Sequence, residues 1–312
     1  MKTKILLIGK SGQVGADLLS LLPPLGDLVA LDRRHLDLTK PEEIRRAIRE
    51  HQPQLIVNAA AYTAVDNAEN DEALAHAINA EAPALMAEEA KRIGAALVHY
   101  STDYVFDGCK NAPYEEDDLP NPINAYGRTK LAGEEGIRAS GAPHLIFRTA
   151  WVYSTRGRNF LLTILRLATQ REELRVVRDQ IGAPTWSREI ARATAEVLGR
   201  LMGARDVAPA LASSGGTYHM TAAGVTNWHE FALAILEEAS HMPRDTPWLA
   251  AATGGLPLVT RRVRPITTPE YPTPARRPAY SVLSNSRLER SFGVRLADWR
   301  AQLHSAFHAG IS

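Results

Sequence analysis

Lys4-Ile-Leu-Leu-Ile8, followed by Gly9-Lys-Ser-Gly-Gln-Val-Gly15 and then by Leu18-Leu19 and Leu21-Leu22, sets the architecture of the chain. The apolar run is too short for a helix of its own and shows no helical period, so it reads as a buried strand. A glycine turn and a helix follow. That order is what a dinucleotide site needs: glycines let the backbone approach a pyrophosphate, and the helix presents unpaired N–H groups and its positive dipole end to it. The spacing here is G-x-x-G-x-x-G, with Gly9, Gly12 and Gly15 in place.

Outward from this unit, strand and helix alternate. Asp27-Leu-Val-Ala-Leu31 reads as a second strand ending at Asp32, about 20 residues beyond the first glycine, where a carboxylate can accept both ribose hydroxyls of an adenosine. Arg33 and Arg34 follow at once, and guanidinium groups there suit a 2′-phosphate, so NADH and NADPH both remain open. Thr39 and Pro41 open a helix to Arg49. Leu55-Ile-Val57 is a third strand running into Asn58-Ala-Ala-Ala-Tyr-Thr63, whose small side chains leave room for adenine and ribose. A long alanine-rich helix to about Arg92 covers the sheet. Ala95 to Tyr100 forms a fourth strand delivering Ser101-Thr-Asp103 at its carboxyl end, the edge where ligands sit in a doubly wound sheet. A loop from Phe106 to Asn124 is long enough to be a lid. His144 to Phe147 is a further strand. The alternation predicts a parallel sheet with right-handed crossovers.

Tyr126 and Lys130, in Asn124-Ala-Tyr-Gly-Arg-Thr-Lys130, share one helix face. A cation about 5 Å from a phenol at an effective dielectric of roughly 20 favours the phenolate by about 3 kcal/mol, or about two pKa units. That predicts a proton donor tuned toward neutral pH. Thr102 can bond a carbonyl oxygen or Tyr126.

Past residue 155 the pattern changes to a helix over 159–172, a strand at Leu174–Val177, a polar turn Asp179-Gln-Ile-Gly-Ala-Pro-Thr185, a helix over 188–201, a surface loop over 203–216 and a strand at Tyr218–Met220. An amphipathic helix then runs from about Thr226 to Met242, and a proline-rich segment, 265–278, presents Arg276 and Arg277. The expected organisation is α/β, a Rossmann-like doubly wound parallel sheet over residues 1–155 with a smaller C-terminal α/β substrate lobe over 156–312, some of whose strands and helices return to the first domain.

Composition narrows the function. Thirty-six basic against 35 acidic residues, net charge +1, leave no electrostatic footprint for nucleic acid or an anionic membrane. The single cysteine, Cys109, excludes an intrachain disulfide and fits a reducing, cytoplasmic setting. No apolar run is long enough to span a membrane.

Taken with Asn58-Ala-Ala-Ala-x-Thr63, His99-Tyr-Ser-Thr-Asp-Tyr-Val-Phe106, Arg148-Thr-x-Trp-Val-Tyr153 and Tyr271-Pro-Thr-Pro-Ala-Arg-Arg-Pro278, these pieces resemble the extended short-chain dehydrogenases. They look most like the dTDP-4-dehydrorhamnose reductase family, over nearly the full length. The resemblance implies that Gly9, Gly12, Gln13 and Val14 meet the pyrophosphate of NADPH or NADH, Asp32 the ribose, Asp37 and Leu38 the adenine side, and Ala61, Tyr62 and Thr63 the length of the cofactor. It implies Tyr126, Lys130 and Thr102 as the catalytic set, with Tyr126 and Lys130 also touching the cofactor. Thr102, Asp103, Trp151 and Arg276 would hold a nucleotide-sugar substrate, a dTDP-deoxyhexulose. Some members of that family bridge two subunits through magnesium held by glutamates. Here Asp17 matches the first glutamate and Arg188 falls near the second, which implies no metal and a monomer or weak homodimer. A 4-epimerase or dehydratase on the same fold, and a non-catalytic NAD(P)-binding regulatory subunit, are the alternatives.

Overall fold

A computed structural model describes residues 2–203 and 207–309. In the first half, β1 (Thr3–Ile8), α1 (Gln13–Leu21), β2 (Gly26–Leu31), α2 (Pro41–His51) and β3 (Leu55–Asn58) alternate. The short helices α3 (Val65–Ala68) and α4 (Glu72–His76) precede α5 (Ala82–Ile93), β4 (Ala96–Thr102), α6 (Ala125–Ser140) and β5 (His144–Thr149). Every residue of β3 and β4 is buried, the mark of strands covered on both faces.

The later strands are short: β6 (Val152–Tyr153), β7 (Glu173–Val177), β8 (Ile181–Gly182), β9 (Thr185–Trp186), β10 (Gly216–His219), β11 (Thr226–Asn227) and β12 (Arg262–Ile266). β10 extends a six-stranded parallel sheet of order β10-β5-β4-β3-β1-β2. The strand order reverses beside β1, so the carboxyl ends of β1, β3 and β4 border the crevice where such sheets take ligands. The remaining strands pair off as β11 with β8, β12 with β7 and β6 with β9.

Besides the cluster that packs α2 and α5 on one face of the sheet through Ile48, Ile56, Met86 and Leu97, two large cores matter to the site. One joins β1, β3, β4 and β5 to the helix Ser187–Met202 through Leu7, Val57, Val98, Phe147, Ile190 and Val197. The other draws only on residues 153–307, around Leu165, Trp186, Phe231 and Phe307.

Four expectations need correction. The Gly203–Gly216 stretch holds a helix, Val207–Ser214, because Val207, Ala210 and Leu211 bury one face of it, while its residues 204–206 lie outside the described residues. The alanine-rich helix is interrupted by a π turn at Ala77–Glu81. The helix expected over 159–172 closes at Ala168. The proline-rich segment begins as β12, bonded to β7 despite Pro265, since an edge strand tolerates a residue with no N–H.

Candidate active site

The glycine loop is held by backbone contact. Gly9 has φ +89°, and a Cβ there would stand 2.6 Å from the Ala60 nitrogen. The loop after β1 is thereby pressed against the stretch after β3. A Cβ on Gly15 would come within 2.1 Å of the Gly9 carbonyl oxygen, so α1 packs directly on the turn. Gly12 caps α1, and no side chain satisfies the first-turn N–H groups, an arrangement that fits a pyrophosphate. The Gln13 side chain accepts from Asn159 Nδ2 at 2.9 Å, and Val14 packs on the first core.

At the end of β2, Asp32 accepts from the Arg34 N–H at 3.1 Å and faces His35 Nδ1 at 2.7 Å. The bond with His35 does most to hold its carboxyl below the usual range. Arg33 and Arg34 are exposed beside it. Asp37 turns inward on its own loop, taking hydrogen bonds from the Thr39 N–H and hydroxyl, while Leu38 is buried.

Ala61 and Tyr62 are half-buried and Thr63 is exposed. Tyr62 is clamped by Asn79, which sequence reading missed: Asn79 Oδ1 accepts from the Tyr62 N–H at 2.8 Å, and Asn79 Nδ2 donates to the Tyr62 carbonyl at 3.0 Å and to Thr129 Oγ1 at 3.2 Å. Asn79 lies in the π turn, a distortion that often marks function. The signal available was an amide within an alanine-rich helix.

α6 begins at Asn124, whose side chain accepts from the Gly127 N–H at 2.8 Å and donates to the Arg276 carbonyl at 2.8 Å. Tyr126, Thr102 and Asp103 meet here, at the carboxyl end of β4. Burial raises the Tyr126 phenol above its ordinary value, and a hydrogen bond with Thr102 pulls it back. The expected lowering by Lys130 is absent, because that side chain is turned to β4: Nζ donates to the Tyr100 carbonyl at 2.6 Å and lies 3.1 Å from His99 Nε2. Burial brings Lys130 itself down to about 8. Asp103 accepts from the Thr102 hydroxyl at 2.9 Å, and its Oδ2 is buried with no hydrogen-bond partner among the described residues, an acceptor available to a ligand hydroxyl. Tyr104 packs edge-on against Tyr126 at 5.6 Å.

Arg277 does not project as a free phosphate ligand, since it forms a two-point pair with Asp66 at 2.5 and 2.7 Å. Arg276 is exposed. Trp151 lies flat on Trp228 at 3.5 Å with φ +49°, a conformation that costs a bulky residue energy and clusters at functional sites. Gly182 makes room for it: a Cβ there would meet the indole at 2.4 Å. The Asp17 carboxylate accepts from the Ser187 hydroxyl at 2.6 Å and pairs with Arg156, while Arg188 is exposed.

Comparison with known proteins adds a family. The RmlD substrate binding domain model matches residues 3–310. A Burkholderia thailandensis protein named dTDP-4-dehydrorhamnose reductase is 50% identical over 297 residues, 95% of each chain. The Escherichia coli K12 protein of that name is 43% identical over 300 residues, covering 95% of this chain and 94% of its own length. A Bacillus anthracis dTDP-4-dehydrorhamnose reductase solved in complex with NADP superposes with a TM-score of 0.85 at 33% identity, covering 98% of this chain and 99% of its own.

Proposed function

The chain belongs to the RmlD substrate binding domain family, and on that premise we infer that it reduces dTDP-4-dehydro-L-rhamnose to dTDP-L-rhamnose with NAD(P)H, the final step of dTDP-L-rhamnose synthesis. When bound, the nicotinamide supplies hydride to the C4 carbonyl carbon. As the carbonyl oxygen gains charge, the Tyr126 phenol gives it a proton, and the new C–H and O–H bonds complete the alcohol. Thr102, whose hydroxyl donates to Asp103 in the cofactor-free protein, would turn that proton to the same oxygen and direct the donor. Lys130 serves the nicotinamide ribose and the phenolate left behind. The observation that carries this reading is the convergence of Tyr126, Thr102 and Asp103 at the end of β4, with α1 opening unpaired N–H groups at the end of β1.

The division of labour we propose gives residues 1–155 to the cofactor and 156–312 mainly to the sugar nucleotide, with Trp151 and Arg276 reaching the substrate. Gly9, Gly12, Gln13 and Val14 hold the pyrophosphate, Asp32 the ribose, Asp37 and Leu38 the adenine side, and Ala61, Tyr62 and Thr63 the remaining length. Asp17 is satisfied by Ser187 and Arg156, which favours a metal-free monomer or weak homodimer. No described helix is long and apolar enough to cross a membrane, and the balanced charge argues against nucleic acid, in keeping with a cytoplasmic enzyme.

The test is oxidation of NADPH and of NADH with the 4-keto sugar generated in place from dTDP-glucose. Oxidation should require the sugar and fall by about 100-fold or more in Tyr126→Phe with cofactor affinity retained. The ratio of the two rates reports whether Arg33 and Arg34 or Asp32 governs cofactor choice. Silence with a cofactor that binds would overturn the assignment in favour of a regulatory subunit.

A further inference from the structure

Three buried polar side chains from three elements touch in succession: Asn58 at the end of β3, His99 in β4 and Lys130 in α6. Asn58 Oδ1 accepts from the Ala60 N–H at 3.1 Å. A backbone N–H only donates, so this contact fixes the amide with Nδ2 toward His99 Nδ1, 3.1 Å away. An amide NH2 also only donates, so Nδ1 must carry a lone pair. Burial keeps the His99 ring neutral, which leaves its one proton on Nε2. Lys130 Nζ is 3.1 Å from that N–H. An ammonium has no lone pair to receive it, whereas a free amine has one, and the Tyr100 carbonyl at 2.6 Å takes an amine N–H in return.

We propose that Asn58 and His99 are positioning residues that hold Lys130 as a free amine in the cofactor-free protein, so that cofactor binding draws one proton from solvent onto Lys130. Protonation in place would set two donors face to face, so the ammonium leaves His99 as it forms. The proton and the turn of the side chain toward Tyr126 are therefore coupled. This rests on reading Lys130 as the residue that serves the nicotinamide ribose. Burial acts in the same direction, bringing Lys130 down to about 8, so the free amine is the main form above about pH 8.

The charged groups around Lys130 leave that state in place. Glu134, one turn along α6, favours the ammonium, but it is bonded twice by Arg148 of β5, at 2.9 and 2.7 Å. Asp103 and Tyr104, after β4, act on Tyr126 or one another. In the helices packed on α6, Asp66 pairs with Arg277, Glu72 with Arg128, and Glu89 with Arg49 and Arg92, while Glu69 accepts from the Ala125 N–H and Glu81 lies beside His76.

Two measurements test the proposal on the intact protein. In the first, 15N NMR of the His99 ring without cofactor, about one pH unit above the Lys130 value, should show a protonated Nε2 and a bare Nδ1. A proton on Nδ1 in the wild type overturns the proposal whether or not any cofactor binds, and whether or not any variant folds. In the second, calorimetry of NADPH binding in two buffers of different ionisation enthalpy, about one pH unit above the Lys130 value, should report uptake approaching one proton. In Asn58→Asp a carboxylate can accept from both the Ala60 N–H and Nδ1–H. The ring proton should then move to Nδ1, proton uptake should fall toward zero, and the alkaline limb of the kcat/KM profile should move up. Equal uptake in both proteins would sink the idea. Failure of both NADPH and NADH to bind would instead defeat the cofactor reading and leave the ring-proton result to stand alone.

Discussion

Asp103 lies 2% exposed at the end of β4, where burial lifts its carboxyl from the ordinary aspartate value of 3.8 to about 7, against the pull of the Thr102 hydroxyl. A folded-state value above the unfolded one means that the native protein holds this proton more tightly. The associated stability is complete below about pH 4 and is lost as pH rises through about 7, at about 1.4 kcal/mol per pKa unit. Asp103→Asn keeps the shape without the titration. Urea unfolding at pH 5 and pH 8 should therefore show a smaller loss of stability between the two for the variant than for the wild type. Equal losses would mean that the burial of Asp103 is relieved by solvent. The same residue should matter to the substrate through its unpartnered Oδ2, so the variant is also expected to raise KM for the sugar more than for the cofactor.

At the scale of elements, the π turn at Ala77–Glu81 shows what a local reading of sequence can and cannot reach. Asn79 is 1% exposed and makes three hydrogen bonds, two to the backbone of Tyr62 and one to Thr129 of α6. A Cβ on Gly133 would meet the Asn79 carbonyl oxygen at 2.1 Å, so α6 and the π turn are in backbone contact there. Asn79→Ala removes the clamp and leaves the Tyr62 N–H and carbonyl without it. An expected cost of about 1–3 kcal/mol, measured by chemical denaturation, should come with weaker NADPH binding. Unchanged cofactor affinity would show that the loop after β3 keeps its shape unaided. The glycine turn, the Tyr126 helix and the β4 terminus were legible because each is written within a few consecutive residues. Asn79 and His99 were not, since their partners lie 50 and 31 residues away and only the packing of α6 brings them together. Gly182 reads as a turn residue in sequence, and its physical reason is the indole of Trp151. The shift of Tyr126 was misjudged because an i to i+4 spacing fixes a face and says nothing of the carbonyl that captures Lys130.

Over the whole molecule, the segment 271–278 ties the later half of the chain to the helices α3 and α6 of the first half. Arg277 pairs with Asp66 of α3, the Ala275 N–H donates to the same carboxylate at 3.2 Å, and the Arg276 carbonyl receives Asn124 at the cap of α6. The Arg277 charge acts on the Tyr104 phenol, and Tyr104 packs on Tyr126, so the C-terminal segment bears on the proton donor through one intermediate ring. The Arg277 guanidinium holds the Asp66 carboxyl below its usual range. That contribution is present above about pH 4 and is lost only as pH falls through the lowered value, so the tie is intact at neutral pH. Because Asp66 is more than a third exposed, solvent screening limits the pair to about 1 kcal/mol of stability. Its larger effect should be on geometry. Arg277→Ala is expected to leave NADPH affinity nearly unchanged, to raise KM for the sugar nucleotide about tenfold, the equivalent of about 1.4 kcal/mol, and to speed proteolysis within 271–278. Asp66→Asn should share these effects, and the double variant should cost less than the sum of the two singles. Additive losses, or a change in cofactor affinity larger than that in sugar KM, would mean that the pair braces the fold at large and does not set this segment against the Tyr126 helix.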